Sequence, residues 1–236
     1  MLDTQAIGNL LAFVGLTLFY FVLTSRDYWW VWPHSNSVVT LFICIDCVCS
    51  ILPFALSVLY HTFMCHHSGE KTYRQLLKSD VFGVWLTCTF GSISTLYAGL
   101  YCLPTLRQLY LLLYMFISSI VLYYLLVVDC KRQRVMALTV QFVFRVLVHF
   151  VPLSSLSTGK SGASKYLVTM DAISAVGAVI NALHIPERWA TGKLDYVCNG
   201  HTLMHVAAFL SVAVGRQGFL LNMAWLNHGA TCTPNL

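Results

Sequence analysis

Charged side chains are scarce in this sequence: Asp, Glu, Lys and Arg make up 10% of its 236 residues, while 58% are apolar. An ordinary soluble domain carries about 25% charged residues. So little charge cannot clothe a water-facing surface, which excludes a soluble fold and leaves a membrane protein. A disulfide framework is missing too. The nine cysteines are scattered mostly inside apolar runs, where a thiol behaves as a small hydrophobe. Cys44 and Cys47 form a CxxC, but it lies in the middle of LFICIDCVCS with no second pair, which favours buried thiols over a zinc or redox motif. There is no internal repeat, no low-complexity tail and no separate soluble domain. The net charge of +5 forms no basic face; Lys and Arg lie in short loops between apolar segments, which argues against nucleic acid as a partner. The tail CTPNL carries no receptor-read retention signal.

What the chain does have is apolar length. A helix needs about 20 residues to cross a hydrocarbon core of about 30 Å. Seven runs meet that need, at about 7–24, 37–65, 79–100, 106–128, 134–152, 166–184 and 200–222. The first, AIGNLLAFVGLTLFYFVL, lacks the basic flank and small-residue cleavage site of a secretory signal, so it reads as a retained helix. Tyr28, Trp29, Trp30 and Trp32 read as an aromatic belt at one membrane interface. Pro104 and Pro152 mark run boundaries, and Gly159 and Gly162 with their serine neighbours mark the most flexible loop. The expected fold is an all-α membrane protein, one seven-helix transmembrane bundle over residues 1–236 with the lipid bilayer as its solvent. Loops after the second, fourth and sixth runs hold eight basic residues (Lys71, Arg74, Lys78, Lys131, Arg132, Arg134, Arg188 and Lys193), and the other side holds four (Arg26, Arg107, Lys160 and Lys165). With seven crossings, that bias puts the N-terminus in the cytosol.

His201 and His205 stand four apart in CNGHTLMHVAA, at the start of the last run. Residues i and i+4 share a helical face, so the pair could be half of a zinc site. By itself such spacing favours surface or packing histidines. Helix parity adds to it: His61 lies one turn before the second run ends and Asp80 opens the third, so both reach the same leaflet as the start of the seventh run. Three neutral imidazoles leave Zn²⁺ an open fourth position for water, the pattern of catalytic zinc. Such water titrates near pH 7 in well-studied cases. Asp80 is then a candidate general base. Ser57, one turn before His61, either orients a substrate oxygen or back-bonds to its own helix. His66 and His67 lie beyond the helix end and read as loop residues, although either becomes the third ligand if that boundary is misplaced.

SVLYHTFMCHH, LLKSDVFGVW, HIPERWATGKLDY and GHTLMH, in that order, resemble the progestin and adipoQ receptor family, which includes the adiponectin receptors. The match runs from about Ser57 to about Ala208. The resemblance implies a seven-helix bundle with a cytosolic N-terminus and an intramembrane zinc site near the cytosolic face. It further implies zinc held by His61, His201 and His205, with Asp80 reaching the metal through water. Family members are linked to ceramide hydrolysis and to lipid or hormone sensing, and are grouped with alkaline ceramidases; a Golgi or plasma membrane follows from the resemblance alone. Two departures are expected to matter. The family's usual cytosolic segment before the first helix, with its Glu and Asn motif, is missing where the chain opens MLDTQAIGN. The usual SHQ of the last motif is Gly200, His201, Thr202 here, which removes a hydroxyl and an amide that would orient the ligands and so bears on catalysis more than on zinc binding.

Other intramembrane charges call for partners at equal depth. Arg145 in the fifth run and Asp171 in the sixth lie at similar depths and are expected to pair, with His149, one turn past Arg145, joining them. Asp46 has no evident partner and is expected to point into a cavity. Glu187 and Arg188 read as a loop ion pair at the cytosolic rim. Two functional classes follow. One is a zinc-dependent amidohydrolase of a ceramide-like lipid, with Asp80 moving the proton to the departing amine. The other is a receptor or scaffold whose zinc is structural, with protein partners or an oligomer left open.

Overall fold

The structure, a computed structural model, describes residues 36–64, 69–150, 162–190, 192–194, 198–228, 230 and 232. Six long helices and no strand occur among them: α1 (Ser37–Phe63), α2 (Glu70–Gly99), α3 (Pro104–Val127), α4 (Lys131–Phe150), α5 (Ser164–Ala182) and α6 (Gly200–Asn227). They correspond in order to the second through seventh apolar runs. The first run, the belt from Tyr28 to Trp32, His66, His67, Pro152 and Gly159 lie outside the described residues. Five spans are long and apolar enough to cross a membrane, namely α1, α2, α3, the stretch Ser164–Trp189 that contains α5, and α6. By composition α4 falls short, because Arg132, Arg134, Gln141, Arg145 and His149 interrupt it. The chain is a multi-pass membrane protein, and α4 turns one polar face, with Gln141, Arg145 and His149 buried, toward the bundle while Val135, Met136, Val140, Val143 and Leu147 stay exposed on the other.

Local chemistry moves several helix ends from where hydropathy puts them. The second described helix was expected to open at Asp80, but α2 begins at Glu70, after Gly69 at φ 82°. Its first turns are polar and held by ion pairs. Arg74 meets Glu70 at 2.7 Å and Asp129, just past the end of α3, at 3.0 Å. A hydropathy window cannot register turns built on charge, so Asp80 lies in the third turn instead of the first. Asn36 caps α1 by accepting from the Val39 amide at 2.9 Å, and Pro104 opens α3 where its missing N–H costs nothing.

Between membrane helices there is no hydrophobic drive, since lipid is as apolar as leucine, so close packing and polar contacts hold them. Gly83 on α2 meets Pro53 on α1 so closely that a Cβ at residue 83 would lie 2.8 Å from the Pro53 Cα. One core cluster joins Val39, Phe42 and Ile43 of α1 to Ala98 of α2 and to Phe219, Met223 and Leu226 of α6. A second joins Cys49, Trp85, Leu86, Val121 and Leu125 across α1, α2 and α3. The opposite face of α3 is left bare, with Leu112 71% and Phe116 65% exposed, as a lipid-facing surface requires.

Although the cysteines do not read as a disulfide framework, Cys102 and Cys232 are joined, with Cα atoms 5.6 Å apart and a separation of 130 positions in sequence. They meet because α2 and α6 both end at the same end of the bundle. Spacing along the chain cannot show that.

Candidate metal centre

At the other end of the bundle, the last turn of α1 carries His61, which is 4% exposed. The first two turns of α6 carry His201 and His205. The three residues offer ligand atoms that all lie within 4.8 Å of one another. His201 Nε2 is 3.3 Å from His61 Nε2 and 3.2 Å from His205 Nε2. Nitrogens bound tetrahedrally at 2.0–2.1 Å, as to zinc, stand about 3.3–3.4 Å apart. The observed spacing fits a metal ion held from three sides. The edge-on rings support it: His201 and His205 lie at 85° with centroids 4.7 Å apart.

The ends of α6 and α1 set this geometry. Asn199, the N-cap of α6, accepts from the Thr202 amide at 2.9 Å and from the Thr202 hydroxyl at 3.1 Å. Glu187, in the short 3-10 turn Glu187–Trp189, accepts from the Gly200 amide at 2.7 Å. Tyr60 packs edge-on against the His61 ring and its hydroxyl meets that of Tyr73 at 3.4 Å. Asp80 stands outside the set of ligand atoms that share the 4.8 Å limit. Ser57 on α1 neighbours Asp80 on α2, and the Ser57 hydroxyl is buried and outside hydrogen-bonding geometry. Three of the five expected site residues are thus drawn into one cluster, and the other two form a neighbouring pair.

The buried charges lie elsewhere. Arg145 Nη2 meets Asp171 Oδ1 at 2.6 Å, and His149 Nδ1 meets Asp171 Oδ2 at 2.6 Å, the network expected from depth. Arg145 also faces the Cys88 sulfur at 3.7 Å and lies 5.0 Å over the Phe142 ring. Asp46 does have a partner: Arg216 of α6, at 3.5 Å. Both line a cavity of about 50 Å³ together with Arg145, Ser92 and Thr95, room enough for water. The expected Glu187–Arg188 pair does not form. Glu187 faces His184 at 3.5 Å and the α6 amide, while Arg188 lies over Trp189 at 5.9 Å. Neighbours in sequence diverge here because the turn points one side chain toward α6 and the other away.

Sequence reasoning missed Asn199 and Glu187. The N-cap rule would have found Asn199, an Asn immediately before an apolar run. Nothing local signals Glu187, which acts across 13 residues.

A profile of proteins described as Haemolysin-III related matches residues 6–215. Progestin and adipoQ receptor family member 4 from Mus musculus is 34% identical over 189 residues, 80% of this chain and 69% of the mouse protein. Its Homo sapiens counterpart is 34% identical over 184 residues, 78% of this chain and 67% of the human protein. The Drosophila melanogaster adiponectin receptor protein is 26% identical over 216 residues, 88% of this chain and 47% of that receptor. With a match over most of its length and relatives at this identity, the chain belongs to the Haemolysin-III related family, which takes in the progestin and adipoQ receptors.

Proposed function

We propose that this chain is a zinc-binding seven-transmembrane protein of the adiponectin and progestin receptor type that hydrolyses the amide of a ceramide-like lipid. The observation that carries it is the cluster of three Nε2 atoms, with His201 at 3.2 Å from His205 and 3.3 Å from His61. His61, His201 and His205 would hold the metal, which supplies an activated water and a Lewis acid at neutral pH. Asp80 would take a proton from that water and deliver it to the leaving amine. Ser57 would orient a substrate oxygen. A purely structural site would be closed by a fourth protein ligand, and the described residues offer three.

Orientation has independent support. The disulfide Cys102–Cys232 closes the end opposite the histidines, and disulfides persist in oxidising compartments. With the excess of Lys and Arg on the histidine side, this favours a cytosolic metal end and a cytosolic N-terminus; a Golgi or plasma membrane follows from the family resemblance alone.

The second reading is a receptor or scaffold with structural zinc. It is favoured by the way the three histidines tie α1 to α6, and by the relatives' receptor names. Purified protein with and without zinc, assayed for fatty acid released from ceramide beside Asp80→Ala, separates the two. Zinc-dependent turnover that Asp80→Ala abolishes supports the hydrolase. Turnover no higher than in the zinc-free control leaves the scaffold, and an active Asp80→Ala removes the general base. Metal analysis of His205→Ala tests the site itself, and unchanged zinc content there would sink it.

A further inference from the structure

His201 is the middle nitrogen of the cluster, in contact with both His61 and His205. Displacing it opens two edges of the triangle at once. Its backbone stands between two anchored amides: Thr202 N–H donates to Asn199 on one side, and Gly200 N–H donates to Glu187 on the other. The first anchor is an ordinary N-cap. The second comes from outside the helix, from the turn that follows α5.

Glu187 is itself fixed. Its side chain is 19% exposed, and its second oxygen faces His184 Nδ1 at 3.5 Å. The turn around it is closed by Arg188 N–H donating to the His184 carbonyl at 2.8 Å and Ala190 N–H to the Glu187 carbonyl at 3.2 Å. A carboxylate at a helix N-terminus also meets the positive end of the helix dipole. Gly200 makes this approach feasible. A Cβ at residue 200 would lie 2.9 Å from the Ile180 carbonyl oxygen, 3.0 Å from that of Ile185 and 3.1 Å from Glu187 Oε1.

We propose that Glu187 is a positioning residue of the metal centre: by binding the Gly200 amide it sets the start of α6, and with it the point from which His201 reaches the other two imidazoles. This rests on the three-histidine cluster being a zinc site. Residues that orient metal ligands cost about 10–100-fold in affinity when removed, and the same loss is expected of Glu187→Ala.

The test uses the full chain in detergent micelles, stripped of metal and titrated with Zn²⁺ against a competing chelator, then with Co²⁺ for its absorption bands. Glu187→Ala is expected to weaken Zn²⁺ by about 10–100-fold and to alter the Co²⁺ spectrum. Glu187→Gln keeps an oxygen acceptor and is expected to recover most of the affinity. Trp189→Ala, in the same turn but 71% exposed, is expected to match wild type. The thermal midpoint of the metal-free protein is measured alongside. A Glu187→Ala variant that is less stable but binds Zn²⁺ and Co²⁺ as wild type does would overturn the proposal, since Glu187 would then be only a fold contact. If the alanine variant does not fold, Glu187→Asp decides: it keeps the charge and shortens the reach, so weakened affinity supports the proposal and wild-type affinity overturns it. Failure of the zinc reading shows separately, as a wild-type chain that takes up no zinc.

Discussion

Asp171→Asn is the substitution to which the bundle should be most sensitive. Asp171 sits between a guanidinium and an imidazole, each at 2.6 Å. The three side chains are nearly dry: 7% exposed for Arg145, 6% for Asp171 and 0% for His149. The amide is the same size and preserves packing, so the change isolates charge. It leaves the Arg145 cation facing the Cys88 sulfur at 3.7 Å and the Phe142 ring at 5.0 Å, soft contacts that cannot replace a carboxylate. Removing one partner of a buried pair costs about 3–5 kcal/mol, more than about a hundredfold in the ratio of folded to unfolded protein.

Reversible unfolding in bicelles, followed by tryptophan fluorescence, measures this directly. The paired replacement Arg145→Met with Asp171→Leu makes the argument sharper, because exchanging a buried ion pair for apolar groups of similar volume is often neutral or stabilising by about 1–4 kcal/mol. The double variant should therefore be more stable than Asp171→Asn alone. Should Asp171→Asn fall within about 1 kcal/mol of wild type, the range of an exposed pair, the network would not be the buried electrostatic contact described here. A double variant weaker than the single one would refute the desolvation argument even if the single variant behaves as expected.

Cys102→Ser or Cys232→Ser should lower the unfolding midpoint by an amount equivalent to about 2–4 kcal/mol; in native membranes both thiols should resist maleimide until reduced, and labelling without reductant would place that end in a reducing compartment. Gly83→Ala sets a methyl 2.8 Å from a backbone atom of Pro53, so α1 and α2 must move apart; a loss of about 1–3 kcal/mol is expected in the same unfolding assay, and wild-type stability would show that the two helices have slack.

Six of the seven apolar runs fall on observed helices, five of them long and apolar enough to cross a membrane, because a membrane helix must be long, apolar and internally hydrogen-bonded, three demands that a sequence displays openly. The histidine cluster was legible for a related reason. Helix parity alone brings the end of α1 and the start of α6 to one leaflet. The Arg145–Asp171 contact was legible from depth, since α4 and α5 follow each other along the chain. The Asp46–Arg216 contact was not. Those residues lie on α1 and α6, and nothing in either sequence states which face of one helix meets the other. The same lack of azimuth hid the Cys102–Cys232 pair and the reach of Glu187 to Gly200. Hydropathy reports how deep a residue lies but not the direction it faces around its helix.

The two polar centres divide the work of the bundle along its length. Asp46 precedes His61 by 15 residues on α1, and Arg216 follows His205 by 11 on α6, which at 1.5 Å per residue places the Asp46–Arg216 pair about 16–22 Å from the histidines. Buried polar contacts there and at Arg145–Asp171 join α1 to α6 and α4 to α5. The core of Val39, Phe42, Phe219 and Met223 and the disulfide secure the same half. Because that half is held without the histidines, the histidine end does not need metal to bring α1 and α6 together. On the proposed zinc reading, a site relieved of that duty can leave one coordination position open, as hydrolysis requires and a structural clamp does not. Stripping the metal is therefore expected to loosen the last turn of α1 and the first turns of α6, seen as faster amide hydrogen exchange around His61 and His201, while exchange around Asp46 and Arg216 stays as in the loaded protein; loss of protection at both ends together would mean that metal holds the whole bundle and would favour the scaffold.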